Sequence, residues 1–272
     1  MNHSFEYDRP IKIADGVFWV GFYDETSNFH CNPYLLIESN QAVLIDAGSR
    51  PDFAVVMSKI LQTGIHPKQI IALIYQHYDP DLCGSMLNVV DICNNQHLKI
   101  ISEKNNHIFI NYYIGKDKHH LLQSIDEHNN IFTFNGRALQ FFKIPYAHCE
   151  GSFVTYDVKT KTLFTSDLFG SFSTKWGLYI ELSDACPICR DYYHCMKGKD
   201  YCPLPDIIDF HRRVMPSSRS LRYAIKVVKE LDISMIAPQH GSIIAKKHDI
   251  DFITDILYSL DKVGIDAIEP LS

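Results

Sequence analysis

The chain has 272 residues, 46% of them hydrophobic, and its 32 acidic against 26 basic side chains leave a formal net charge of -6. A chain of this size and composition can bury a sizeable core, as one large domain or two small ones, and its mixed charges lack the basic stripe that nucleic acid demands. The N-terminal "MNHSFEYDRPIKIADG" has no apolar signal core, and no apolar run approaches the roughly 20 residues of a bilayer span, so the expectation is a cytoplasmic protein without membrane insertion. Eight cysteines in such a chain read as reduced thiols or metal ligands rather than disulfides.

In chain order, "IKIADGVFWVGF" (11–22) and "NPYLLIESNQAVLIDAG" (32–48) alternate strand-like runs with the turn pairs Asp15-Gly16 and Ser39-Asn40, which predicts an antiparallel meander. Pro51 then opens a helix to residue 62, with Phe53, Val56, Ile60 and Leu61 near helical spacing. The strand "IIALIYQ", a helix over "GSMLNVVDICNNQ" and the strand "LKIIS" follow. A second strand-rich block runs through "NIFTFNG", "ALQFFKIPY", "SFVTYDV" and "TLFTSD", with Asn135-Gly136 a hairpin turn. Two helices, "IIDFHRRVM" and "SLRYAIKVVKEL", come next; Leu221, Ile225 and Val228 share a face and Ser217 or Ser218 caps the second. The strand "SMIAP" and a helix over "DFITDILYSLDKV" complete the pattern. Two strand-rich blocks, each followed by helices, predict two sheets packed face to face and covered by helices, in a single domain over residues 1–272 with a Cys-rich insertion at about 184–203.

The chemistry sits at strand ends. "LIYQHYDPDLCGS" (73–85) places His77, Asp79 and Asp81 at alternate positions after an apolar run, a pattern that turn chemistry alone also produces. Three further islands, "PYAHCEGS" with His148, "LFTSDLFGS" with Asp167 and "MIAPQHGS" with His240, each follow a strand-like run and precede small residues. Polar side chains at the ends of buried strands, followed by Gly or Ser that let the backbone turn, are placed where a sheet can present them to a shared pocket.

The order, spacing and flanks of these residues resemble the metallo-β-lactamase superfamily, and within it the diiron domain of the flavodiiron proteins, over essentially the whole chain. That family's first motif is His-x-Glu-x-Asp-His-x-Gly; here it is matched by His77, Asp79 and Asp81, with Asp79 for the Glu and Leu82 for the second His. His148, Asp167 with Phe169 and Gly170, His240 with Gly241, and Asp46 in "LIDAG" match the family's later and structural positions. The resemblance implies an α/β (α+β) αββα four-layer sandwich. It also implies a centre of two iron ions, with His77, Asp79 and His148 on one, Asp81 and His240 on the other, and Asp167 bridging. Three imidazoles and three carboxylates form a harder set than the nitrogen-rich one of the zinc hydrolases and suit iron.

The implied function is a non-haem diiron protein that binds dioxygen as a peroxo-type adduct and reports it, a sensor more than an efficient oxidoreductase, because Leu82 removes a donor and the flavodoxin-like domain with its flavin is not in this chain. The alternative is an oxygen or nitric oxide reductase fed by a separate flavodoxin or rubredoxin-type partner, and after it a binuclear zinc hydrolase. A chemotaxis or other signalling partner and a homodimer are implied in the same way. Around the ligands, Leu82, Cys83, Tyr78, Tyr146, Cys149 and Phe169 are read as pocket or supporting positions, with small buried hydrophobes the ordinary alternative for the two cysteines. Cys186, Cys189, Cys195 and Cys202, with His194 among them, are read as a structural zinc site, an iron–sulfur centre or redox thiols, against unliganded thiols in a loop.

Overall fold

The computed structural model describes residues 5–22, 30–173, 175–182, 186, 189, 191–195 and 201–268. The meander forms as β1 (Ile11–Ala14), β2 (Val17–Trp19), β3 (Tyr34–Glu38) and β4 (Gln41–Ile45). All three pairings are antiparallel, and the turns at Gly16 and Ser39 adopt the positive φ their residues favour. Helix α1 (Phe53–Gln62) leads to β5 (Ile70–Ile74), then come the short α2 (Pro80–Cys83), α3 (Met86–Cys93), β6 (Lys99–Ser102), α4 (His107–Ile110) and β7 (Leu122–Ser124). The hairpin β8 (Ile131–Phe134) and β9 (Arg137–Lys143) turns at Asn135-Gly136 as the sequence predicts. After β10 (Phe153–Asp157) and β11 (Thr162–Phe164) follow α5 (Leu204–Val214), α6 (Ser218–Lys229), β12 (Met235–Ala237) and α7 (Lys247–Ser259). Two sheets result, one of seven strands in the order β1 to β7 and one of five in the order β12-β11-β10-β9-β8.

The chain divides into two compact units that interleave in sequence: residues 1–24, 30–141 and 155–160 form the first, and 25–29, 142–154 and 161–272 the second. In the first, β4, β5, β6 and β7 pair in parallel, and β4 and β5 are buried along most of their length as continuous apolar runs. Helix α1 buries Val56, Met57 and Ile60, while Leu61 is 49% exposed; Met57, one position past Val56, takes the core place expected for Leu61. Strand β7, with alternating Leu-Gln-Ser, carries too weak a pattern to be seen in the sequence and forms because β6 offers it a parallel edge.

Two buried cations set the first unit. The Lys59 ammonium donates to the carbonyls of Tyr7 (2.5 Å) and Gly21 and lies 4.2 Å from the Trp19 ring centroid, tying the N-terminal segment to α1; burial pushes its pKa down to about 8. Arg137, its side chain fully buried, donates through Nε (2.9 Å) and a terminal nitrogen (2.6 Å) to the two oxygens of Asp157 and through its other nitrogen to the carbonyls of Gly16 and Ile37. The guanidinium therefore joins the β1–β2 turn, β3 and the end of β10.

The second unit is built on the parallel pair β11–β12 with α5, α6 and α7. Leu221, Ile225 and Val228 of α6 are buried on one face as expected, and of the two candidate caps it is Ser217 whose hydroxyl accepts from Ser220 N (3.1 Å). Among the described residues no helix is long and apolar enough to cross a membrane, and none of the eight cysteines forms a disulfide.

Candidate metal centre

In the first unit the donors lie where β5 ends. Asp46, itself 2% exposed and at φ 51°, accepts from Gln76 N (3.1 Å), which fixes the backbone one residue before His77. Asp79 then stands at the N-cap of α2 with Pro80 in the first helical position, so the chain turns from extended to helical within the motif. His77 is buried, and its Nε2 lies 3.6 Å from Asp79 Oδ2. Leu82 is fully buried in the apolar cluster that also holds Val56, Met57, Cys83 and Met86, so the position of the family's second histidine serves as core. Cys83 is fully buried too, and its thiol donates to the His77 carbonyl (3.6 Å), so it both packs and holds the loop. Tyr78 stacks on Phe109 with centroids 4.3 Å apart. Gly84 is held close: a Cβ there would meet the Pro80 carbonyl at 2.4 Å and Arg50 N at 2.9 Å.

In the second unit, β11 and β12 stay paired past their formal ends, Thr165 N donating to Ala237 O (3.2 Å) and Gln239 N to Ser166 O (2.8 Å). That register sets Asp167 beside His240. His240 Nε2 lies 3.6 Å from Asp167 Oδ1, and His148 Nε2 lies 3.2 Å from Asp167 Oδ2, so each carboxylate oxygen faces a different imidazole. Two donors about 2.1 Å from one ion lie about 3.0 Å apart at a right angle and about 3.6 Å apart near 120°. The separations match ligand–ligand edges of that kind, and the 3.6 Å contact is too long for a hydrogen bond. The donor set is thus of a kind that fits metal ions, with one Asp167 oxygen toward each imidazole.

Supporting residues in this unit are as telling. The Phe169 N–H, at φ 69°, donates to His211 Nε2 (2.9 Å), and His211 Nδ1 donates to Ile207 O (2.7 Å). Fully buried on α5, His211 is neutral, its pKa pushed down to about 4 by burial. It fixes the backbone two residues after Asp167 and was not legible as functional, since a histidine beside buried Ile207, Ile208 and Phe210 reads as core. Cys149 Sγ lies 3.6 Å from His148 Nε2, and its N–H donates to Ser152 Oγ (2.9 Å). Tyr146, by contrast, is 53% exposed.

Gly241 follows His240 at φ 80°, and a Cβ there would fall 2.2 Å from Ser171 Oγ, while the Gly241 carbonyl accepts from Trp176 Nε1 (2.8 Å). Gly241→Ala is therefore expected to destabilise the fold by at least about 1–2 kcal/mol, the ordinary strain of a left-handed alanine, and to weaken metal uptake by shifting His240. Thermal denaturation and a metal titration of the variant would check both effects.

The Cys-rich segment lies partly outside the described residues, which include all four cysteines. Cys189 N donates to Cys186 O (2.9 Å) and its thiol to Asp191 O (3.2 Å), while His194 is paired with Asp191. Burial raises the Cys202 pKa, a backbone hydrogen bond with Leu204 lowers it, and the charges of Cys186, Cys195 and Cys189 raise it further. Among the described residues, the donor groups compact enough for a metal ion do not include them.

The family model described as ODP family beta lactamase matches residues 29–241. The chain belongs to that family. Protein MJ0732 of Methanocaldococcus jannaschii is 30% identical to this ODP-family chain over 86% of its length and 56% of its own. Curated relatives are matched over 32% to 57% of their lengths. Among solved structures, the rubredoxin oxygen:oxidoreductase of Desulfovibrio gigas has a TM-score of 0.75 at 19% identity, over 92% of this chain and 61% of its own. The structure of the peroxy diiron species of the chemotaxis sensor ODP has a TM-score of 0.71 at 20% identity, over 95% of this chain and 97% of its own. These likenesses show the fold, the metallo-β-lactamase-like arrangement of two sheets and helices expected from the sequence.

Proposed function

We propose that this chain holds a binuclear iron centre, with His77, Asp79 and His148 on one iron, Asp81 and His240 on the other, and Asp167 on both. The observation that carries this reading is the Asp167 carboxylate with an imidazole at each oxygen, 3.2 and 3.6 Å away. Three carboxylates in the set favour iron over zinc. Bound iron supplies one-electron chemistry toward dioxygen or nitric oxide.

The domain is read as a dioxygen sensor in a reducing cytoplasm, acting through a signalling partner and as a homodimer. Leu82, buried where the flavodiiron motif carries a histidine, supports sensing over turnover, as does the likeness to the chemotaxis sensor ODP. The likeness to a rubredoxin oxygen:oxidoreductase supports a second reading, a reductase fed by a flavodoxin or rubredoxin-type donor.

The test is to load the protein with ferrous iron without air, mix it with dissolved dioxygen, and follow visible absorption with and without reductant. A band that appears at two irons per chain and persists without continuing oxygen uptake is expected. Repeated oxygen consumption in the presence of reductant would replace sensing by reduction. Two zinc ions and no iron, in protein produced with iron supplied, would replace both by hydrolysis.

A further inference from the structure

With Leu82 in the core, the ion that Asp81 holds in the proposed centre lacks the nitrogen donor of the family motif. Within the first unit a different donor stands beside Asp81. Cys31 is 2% exposed, forms no disulfide, and its Sγ lies within 4.8 Å of an Asp81 carboxylate oxygen. A thiolate at about 2.3 Å and a carboxylate oxygen at about 2.1 Å on one ion are at most about 4.4 Å apart, so little or no movement is needed for both to bind.

The segment carrying Cys31 is held firmly. His30, Asn32 and Pro33 around it are buried, Trp19 Nε1 donates to Asn32 Oδ1 (2.9 Å), Val20 N donates to Pro33 O (3.0 Å), and a Cβ at Gly21 would fall 2.5 Å from the Cys31 carbonyl. The thiol is thus presented by backbone anchored to β2, as a ligand on a rigid element should be. Cys93, also fully buried in the first unit, shows the alternative: it lies among apolar side chains, and burial pushes its pKa up to about 12. Cys31 differs in having a carboxylate oxygen as neighbour, a second donor with which it can share one ion.

We infer that Cys31 is a thiolate ligand of the iron held by Asp81 and His240, taking the coordination position that Leu82 leaves. The inference rests on the binuclear reading above. Thiolate in place of imidazole adds negative charge to that ion and favours its ferric state, giving the two irons unequal donor sets.

The experiment is X-ray absorption at the iron edge, with visible absorption of the oxidised protein, on the full chain and on Cys31→Ser, Cys31→Ala and the control Cys93→Ala. The expected result is two irons per chain, an iron–sulfur scattering shell near about 2.3 Å and a thiolate-to-ferric charge-transfer band. Both signals should be lost in the two Cys31 variants and kept in Cys93→Ala, with melting curves reporting that each variant folds. Two irons with the same sulfur shell and band in wild type and Cys31→Ala, or with neither in wild type, would overturn the thiolate ligand and leave the binuclear centre standing. Fewer than two irons in wild type would overturn the centre itself, and the inference with it.

Discussion

Asp157→Ala is expected to destabilise the protein by about 3–5 kcal/mol, the usual cost of leaving one member of a buried ion pair without the other. Asp157 is fully buried and accepts from two nitrogens of Arg137, from Thr160 N (3.2 Å) and from the Thr160 hydroxyl. Removing the carboxylate leaves a guanidinium in a site it cannot leave, because it also donates to the carbonyls of Gly16 in the β1–β2 turn and Ile37 in β3, with Glu38 Oε2, 3.8 Å away, as a remaining counter-charge. Urea denaturation should show a lowered midpoint whose shift, multiplied by the slope m, equals that loss. The double variant Arg137→Met with Asp157→Leu should recover part of the loss, because it removes the buried charge as well as its partner. A loss below about 1 kcal/mol for Asp157→Ala, the range of exposed pairs, would show that water reaches the pair.

Stability of the metal-free protein is expected to fall by about 3 kcal/mol as the pH is lowered from 7 to below 4, through His211. Its pKa is pushed down to about 4 in the folded chain, against about 6.5 when unfolded. The folded state therefore binds the proton less readily than the unfolded one. Its stability contribution is complete above about pH 6.5 and declines by about 1.4 kcal/mol per pH unit down to the folded pKa. His211→Leu should flatten this portion of the profile while costing about 1–3 kcal/mol at neutral pH, since Phe169 N and Ile207 O lose their partner in a dry site. Denaturant midpoints at pH 7, 5.5 and 4.5 for both proteins would test it; parallel profiles would mean that His211 is protonated in the fold.

Much of the architecture is written in local pattern. The Asp15-Gly16, Ser39-Asn40 and Asn135-Gly136 turns formed as expected because positive-φ turn chemistry is a property of a few adjacent residues. Helix α6 formed where Leu221, Ile225 and Val228 align, because its 3.6-residue period is visible in the string itself. Strand β7 and the exposed Leu61 were not legible, since each depends on what the neighbouring element offers: an open parallel edge for the first, Met57 filling the core for the second. At the candidate centre, the six candidate donors could be named from the sequence because their motifs follow apolar runs and precede small residues. Their supports could not.

By itself, then, the sequence determined the family, the strand-end placement of His77, Asp79, Asp81, His148, Asp167 and His240, and the absence of a histidine at Leu82. Only the tertiary structure decided which side chains meet: one Asp167 oxygen turned to each imidazole, Phe169 hung on His211, Arg137 locked to Asp157, and Cys31 brought beside Asp81. The physical reason is range. Turn and helix preferences are energies of neighbouring residues, whereas these pairings join residues distant in the chain, whose contact is set by sheet register and burial and leaves no mark in local composition.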